Sequence, residues 1–218
     1  MTAREQILGD IRRALKRASG QPPRYEETPL PAPALRIPLN DRNLSAELFG
    51  QKFENLGGIF IRVRDAAAVV PAIADLLHQK SAVASNAPFL RKCGITGLPQ
   101  VHAAFTDREE LKAACAAADI GISSVSYALA ATGTFVMLSS HDEARLISLL
   151  PPMHIAIIPR SLILANLDEL LSIVPRPADQ TSSMVLITGP SRTADIEQIL
   201  VKGVHGPGEV CAVVVDDE

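Results

Sequence analysis

The chain has 218 residues, 47% of them hydrophobic, with 21 Lys and Arg against 24 Asp and Glu and a formal net charge of −3. That length and apolar content support a sizeable core, in one large domain or two small ones. So small a net charge provides no broad basic field, so neither nucleic acid nor an anionic membrane surface is an expected partner, and an anion site must be local.

Cys93, Cys115 and Cys211 are far apart in sequence, odd in number and in no C-x-x-C arrangement. This argues against a disulfide framework and against a zinc or iron–sulfur site within the chain, and it fits a reducing cytoplasm. No apolar run approaches the roughly 20 residues of a membrane span. The opening "MTAREQILGDIRRALKRASG" lacks the apolar centre of a secretory signal, and Glu5 and Asp10 count against a transit peptide. A cytoplasmic protein is expected.

In chain order, Thr2-Ala-Arg-Glu5 is a capping-box pattern, followed by Ile7, Leu8, Ile11 and Leu15 at helical spacing opposite Arg12, Arg13, Lys16 and Arg17. Residues 1–20 therefore read as an amphipathic helix ending near Gly20. Its apolar face either packs on the protein's own body or docks on a partner or lipid. Residues 21–43 carry Pro22, Pro23, Pro29, Pro31, Pro33 and Pro38 and read as a linker or a surface arm. Residues 44–218 form the third segment.

There, short apolar runs alternate with helical patterns: "GGIFIRV", "AAAVVPAIADLLHQ", "SAVAS", "FTDREELKAACAAA", "DIGISS", "GTFVMLS", "HDEARLISLL", "MHIAIIP", "SLILANLDELLSIV", "SMVLITG", "ADIEQILVK" and "EVCAVVVD". Strands alternating with helices of this length imply crossover connections and a mostly parallel sheet covered on both faces, a layered α/β domain. Ligands of open α/β sheets sit beyond the carboxyl ends of the strands. The corners "SSVSYALAATGT", "SSHDEAR" and "GPSRTAD" are the ones to weigh.

In the last corner, Gly189-Pro190 ends a β-branched run, and Ser191 or Thr193 is placed to cap a helix starting near Ala194, with Asp195 in its first turn. Free N–H groups at such a start attract an anion, and Arg192 adds a bidentate grip on carboxylate or phosphate. The competing role is plain capping, with Arg192 paired to a nearby carboxylate. The segment lacks the Gly-Lys pair of a phosphate-binding Walker loop, and no G-x-G-x-x-G fingerprint occurs in the chain.

Past that helix, Gly203 reads as its stop and Gly206-Pro207-Gly208 as a tight turn, leaving His205 on a constrained loop as a weak candidate for acid–base work. His78 suits a helix C-terminus, His154 lies within an apolar strand, and no pair has H-E-x-x-H spacing, so no metal is expected.

Thr132-Gly133-Thr134 interrupts an apolar run, where a glycine permits close backbone approach and two hydroxyls can face a ligand's oxygens; a simple bend is the alternative. Ser123, Ser124 and Ser126 offer more hydroxyls, but no histidine–carboxylate pattern marks an activated nucleophile, which excludes a serine-hydrolase reading. Ser140-His-Asp-Glu143 is a second capping-box pattern. It puts Arg145 in a first helical turn, where the dipole disfavours a cation unless a carboxylate or bound anion compensates.

The stretches "ISSVSYALAATGTFVMLSSHDEARLISLLPPMHIAIIP" and "LITGPSRTADIEQILVKGVHGPGEV" closely resemble the LUD-domain family in its lactate-utilization branch. The most specific words are T-G-T, E-A-R, G-P-S-R-T-A-D-I-E and G-V-H-G-P-G, and the likeness runs from Leu44 onward and includes the short N-terminal helix. It implies a three-layer α/β/α fold similar to the CoA-transferase, ribose-5-phosphate isomerase and glucosamine-phosphate deaminase group. It also implies a role in oxidising L-lactate to pyruvate beside partner proteins that carry iron–sulfur clusters. Where many members have an acidic residue before T-G-T, this chain has Ala131, against any mechanism needing a carboxylate there.

The expectation is a cluster-free accessory or ligand-binding component with no cofactor of its own. Its small-carboxylate site would draw on Ser123, Thr132, Gly133, Thr134, Glu143, Arg145, Ser191, Arg192, Thr193 and His205. The alternatives are an independent enzyme acting on a sugar phosphate or CoA ester, and a purely structural or regulatory partner.

Overall fold

A computed structural model describes residues 2–16, 42–193 and 201–216. The chain divides into two units, Met1–Leu35 and Arg36–Glu218. In the first, helix α1 (Ala3–Ala14) starts from a complete capping box: Thr2 Oγ1 accepts the Glu5 N–H, and the Glu5 carboxylate accepts the Thr2 N–H at 2.7 Å. The described helix stops short of Gly20, and the proline-rich segment lies outside the described residues up to Arg42.

The second unit runs α2 (Arg42–Asn55), β1 (Ile59–Val63), α3 (Val69–Leu77), β2 (Ala82–Ala84), α4 (Pro88–Lys92), β3 (Val101–His102), α5 (Arg108–Ala117), β4 (Ile120–Ser124), β5 (Tyr127–Leu129) and β6 (Thr134–Leu138). It continues with α6 (Arg145–Leu149), β7 (Met153–Pro159), β8 (Ile163–Leu164), α7 (Leu167–Ile173), α8 (Pro177–Gln180), β9 (Met184–Ile187), β10 (Arg192–Thr193), β11 (Val201–Lys202) and β12 (Glu209–Val215).

Six strands form a parallel sheet in the order β1-β12-β7-β4-β2-β3. Its central strands, "MHIAIIP" and "EVCAVVV", are apolar on both faces because both are covered. On one face α3 and α4 set Val69, Ile73, Leu77 and Leu90 against Ile120, Ile122, Ile155, Ile157 and Val213. On the other, Ala46, Phe49 and Phe53 of α2 and Phe135 and Met137 of β6 pack on Ala156, Ile158, Ala212 and Val214. Helix α6 joins that face because Gly121 has no side chain: a β-carbon there would collide with the Ile147 carbonyl oxygen. The domain is the three-layer α/β arrangement that alternation implies.

The short elements α4, β3 and β5 are absent from the sequence reading, and three further features depart from it. Helix α2 goes unrecognised because its buried face, Ser45, Ala46, Phe49, Gly50 and Phe53, mixes polar and small residues with two aromatics and draws no continuous apolar stripe. The run "SMVLITG" does not enter the parallel sheet; as β9 it closes a separate four-stranded sheet, β8-β5-β6-β9, antiparallel to β6. Within "SLILANLDELLSIV", Ile163–Leu164 is a strand, and the helix begins only at Leu167, capped by the Asn166 side chain accepting the Glu169 N–H.

Candidate functional site

The C-terminal turn of α2 collects two of the three corners. Gly133, at φ 62°, sits so close to this helix that a β-carbon would lie 2.7 Å from the Phe53 nitrogen, which requires glycine both for its conformation and for its bareness. Thr132 Oγ1 and Thr134 Oγ1 are 2.7 Å apart, and Thr134 Oγ1 is 2.9 Å from Thr188 Oγ1. This threonine chain ties the T-G-T turn to the end of β9, where G-P-S-R-T begins.

Arg192 then reaches back across Gly57 and donates from Nη2 to the Leu56 carbonyl, just past the end of α2. Its side chain is exposed and makes no ion pair with a described residue. Ser191 is held by main-chain bonds, its N–H donating to the Pro207 carbonyl at 2.9 Å and its own carbonyl accepting the Gly203 N–H at 3.0 Å. The loop bearing His205 is thereby fastened beside the G-P-S-R-T turn, with His205 exposed.

A corner expected to be strand-to-helix is therefore built differently. Arg192–Thr193 is a two-residue strand antiparallel to Val201–Lys202, so Ser191 and Thr193 are hairpin residues and not caps of a described helix. The expected helix over 194–202 lies outside the described residues as far as 200, and its last two residues, Val201–Lys202, are a strand. Gly203, at φ 78°, turns the chain after β11 and does not end a described helix. These loops also sit at the amino end of the parallel sheet, beside the starts of β1 and β12, because β5, β6 and β9 are not members of it.

A second polar group stands at the opposite, carboxyl end, beyond β2 and β4. Glu143 Oε1 accepts the Ser85 hydroxyl at 2.7 Å and the Ser124 N–H at 2.8 Å, while its Oε2 is buried without a partner among the described residues. Burial pushes this carboxyl up to about 7, against the lowering effect of those two hydrogen bonds. Asn86 adjoins it, its N–H donating to the Asp142 carbonyl at 2.9 Å and its Oδ1 buried and unpartnered. The arrangement is able to hold or release one proton near neutrality.

Glu143 is thus not the capping residue that its spacing from Ser140 implies. Ser140 Oγ accepts the N–H groups of Asp142 and Glu143, but the helix begins at Arg145 behind Ala144, and the Glu143 carboxylate turns inward. Arg145, exposed in the first turn of α6, has only Ser183 Oγ at 3.5 Å and no carboxylate among the described residues.

Ser123 belongs to neither end. Its Oγ is 2.7 Å from His154 Nε2, and both residues are buried between the parallel sheet and β6. Burial pushes the imidazole down to about 4, so it is neutral, and Nδ1 has no partner among the described residues. With no carboxylate on Nδ1 and no exposure, the pair lacks the orienting third group of a hydrolytic triad.

The ten candidates thus separate. Thr132, Gly133, Thr134, Ser191, Arg192, Thr193 and His205 lie on loops and a hairpin joined at the amino end. Glu143 and Arg145 lie at the carboxyl end, and Ser123 lies inside. Thr188, Ser85, Asn86 and His154 were not among the candidates; only their hydroxyl, amide or imidazole identity marked them, at positions where burial cannot be read from spacing.

Cys93, Cys115 and Cys211 are buried as free thiols, and burial pushes them up to about 11, 11 and 12. Among the described residues no group of three or more His, Cys, Asp or Glu is placed to hold a metal ion. No described helix is long and apolar enough to cross a membrane.

These features define a layered α/β domain with polar loops gathered at each end of its sheet. Residues 46–215 match the LUD domain, and the chain belongs to that family. Lactate utilization protein C of Halalkalibacterium halodurans is 37% identical over 157 residues, covering 67% of this chain and 68% of that protein. The same-named proteins of Shouchella clausii and Bacillus subtilis are 41% and 40% identical over 104 residues, which span less than half of each of them. The fold resembles the crystal structure of a DUF162 family protein from Deinococcus radiodurans, with a TM-score of 0.62, 21% identity, and coverage of 80% of this chain and 98% of that one.

Proposed function

We propose that this LUD-domain protein is a component of lactate utilization that holds a small carboxylate, lactate or pyruvate, at the amino-end corner, in the cytoplasm. Arg192 supplies the charge, Ser191, Thr132 and Thr188 supply hydroxyls that the buried Thr134 holds in place, and His205 stands on the adjoining loop as the candidate for acid–base work. The observation that carries this reading is the threonine link between the T-G-T turn and β9. It fixes the hydroxyl-bearing turn at the start of the same G-P-S-R-T segment that carries Arg192, whose guanidinium has only a backbone carbonyl as described partner.

Oxidising lactate to pyruvate removes two electrons and two protons, and the buried protonated thiols of this chain are unsuited to carry those electrons. Electron transfer then falls to partner proteins bearing iron–sulfur clusters, with this chain as the ligand-holding accessory. The test is a lactate-dependent electron-transfer assay with purified candidate partners. The rate should rise when this protein is added and should fall back with Arg192→Ala. Lactate oxidation by this protein alone, or an unchanged rate on adding it, overturns the proposal. Stabilisation by sugar phosphates or CoA, with none by lactate or pyruvate, would instead favour an independent enzyme.

A further inference from the structure

The carboxyl end of the parallel sheet has a cleft that neither polar group explains. It lies beyond β1, β12 and β7 and is lined by Asp65, Phe89, Lys92, Pro159, Val215 and Asp216, with a volume of about 660 Å³. That size suits a small organic molecule, and the position is where open α/β sheets take their ligands.

The charges around it are unequal. Asp65 is committed, with Oδ1 accepting the Ala68 N–H at 2.9 Å and Oδ2 pairing with Arg64 Nε at 2.9 Å. Asp216 is committed too: both its oxygens accept from Arg62 Nε, at 3.0 and 3.2 Å, and Arg160 Nε lies 3.6 Å from Oδ1. Each carboxylate is thus matched by arginine. Lys92, on the last turn of α4, has no ion-pair partner among the described residues. Lys92 is exposed and borders the cleft. The other walls set apolar Phe89, Pro159 and Val215, with Ala66 and Ala67, beside Ser161.

We infer that this cleft is a second ligand site, separate from the amino-end corner, for a small organic anion with an apolar body: Lys92 receives the carboxylate or phosphate, and Phe89, Pro159 and Val215 receive the body. A neutral ligand would leave the ammonium unpaired, and a bare inorganic anion would leave the apolar walls wet.

The test is an NMR titration of the full chain with phenyl phosphate and benzoate, using phenol and inorganic phosphate as half-ligands. Phenyl phosphate or benzoate should shift amides around Phe89 and Asp216, with about ten-fold higher affinity than either half-ligand. Lys92→Ala should weaken that binding about ten-fold while Lys92→Arg preserves most of it, the spectra reporting that both variants are folded. Undiminished binding in Lys92→Ala, or no shifts at millimolar ligand, overturns the inference. Shifts confined to Thr132–Thr134 and Arg192 overturn it as well, yet leave the amino-end carboxylate site standing.

Discussion

Thr134 Oγ1 lies 2.9 Å from Thr188 Oγ1, and this hydroxyl pair fastens the turn between β5 and β6 to the end of β9. Thr134 is 4% exposed, so water does not replace the bond if it is lost. Thr134→Val keeps the shape and strips two neighbouring hydroxyls of a partner, and it should cost about 1–2 kcal/mol in urea denaturation. Thr132→Val, at the outer end of the chain, should cost less. Equal costs would mean that the link to β9 is not the element that matters.

Gly133 tests the close approach itself. A side chain there must adopt φ 62° and press on the main chain at Lys52 and Phe53, atoms held by α2 and unable to yield. Gly133→Ala should destabilise by about 1–3 kcal/mol from the backbone conformation alone, more with the collision. Gly97→Ala, with open space around its β-carbon, serves as the control and should change thermal stability little.

Glu143 should give the domain a pH dependence of definite sign. Its folded pKa, about 7, stands above the ordinary carboxyl value of 4.5, so the native state binds the proton more tightly than the unfolded chain. The contribution to stability is fully present below about pH 4.5 and is lost as pH rises through about 7. Glu143→Gln keeps an oxygen for Ser85 and Ser124 without ionising. Unfolding free energies measured from pH 4.5 to 8 should fall for the wild type relative to this variant. Parallel curves would show that the carboxyl titrates normally.

How much of this was legible follows from what spacing encodes. Five of the six strands of the parallel sheet are readable because burial leaves apolar runs such as "VCAVVV", whereas the two-residue edge strand β3 is too short to draw one, and α3 and α5 are readable because their apolar residues recur at helical period. Helix α2 escapes because glycine and serine occupy its buried face. The membership of β9 in a second sheet escapes because a four-residue apolar run looks the same in a parallel or antiparallel ladder. At the site, T-G-T and G-P-S-R-T stand out through glycine and hydroxyl content, yet their meeting depends on Thr188, an ordinary residue at a strand end. The inward turn of Glu143 is hidden because the same S-x-x-E spacing serves a helix cap and a loop.

Arg192 carries the sharpest conflict between structure and ligand, and two measurements on its variants separate them. As a latch, its guanidinium satisfies a carbonyl just past the C-terminus of α2, where a cation is favoured, and the loss of so exposed a contact should cost under about 1 kcal/mol. As an anion receptor it retains N–H groups beyond the one given to Leu56, and its removal should weaken lactate or pyruvate binding about ten-fold or more. Arg192→Lys discriminates further, since an ammonium preserves charge but not a bidentate grip, and it should recover stability more fully than affinity. Calorimetric titration with pyruvate beside urea denaturation reads both quantities. A variant that loses stability while binding pyruvate with wild-type affinity would reduce Arg192 to a latch.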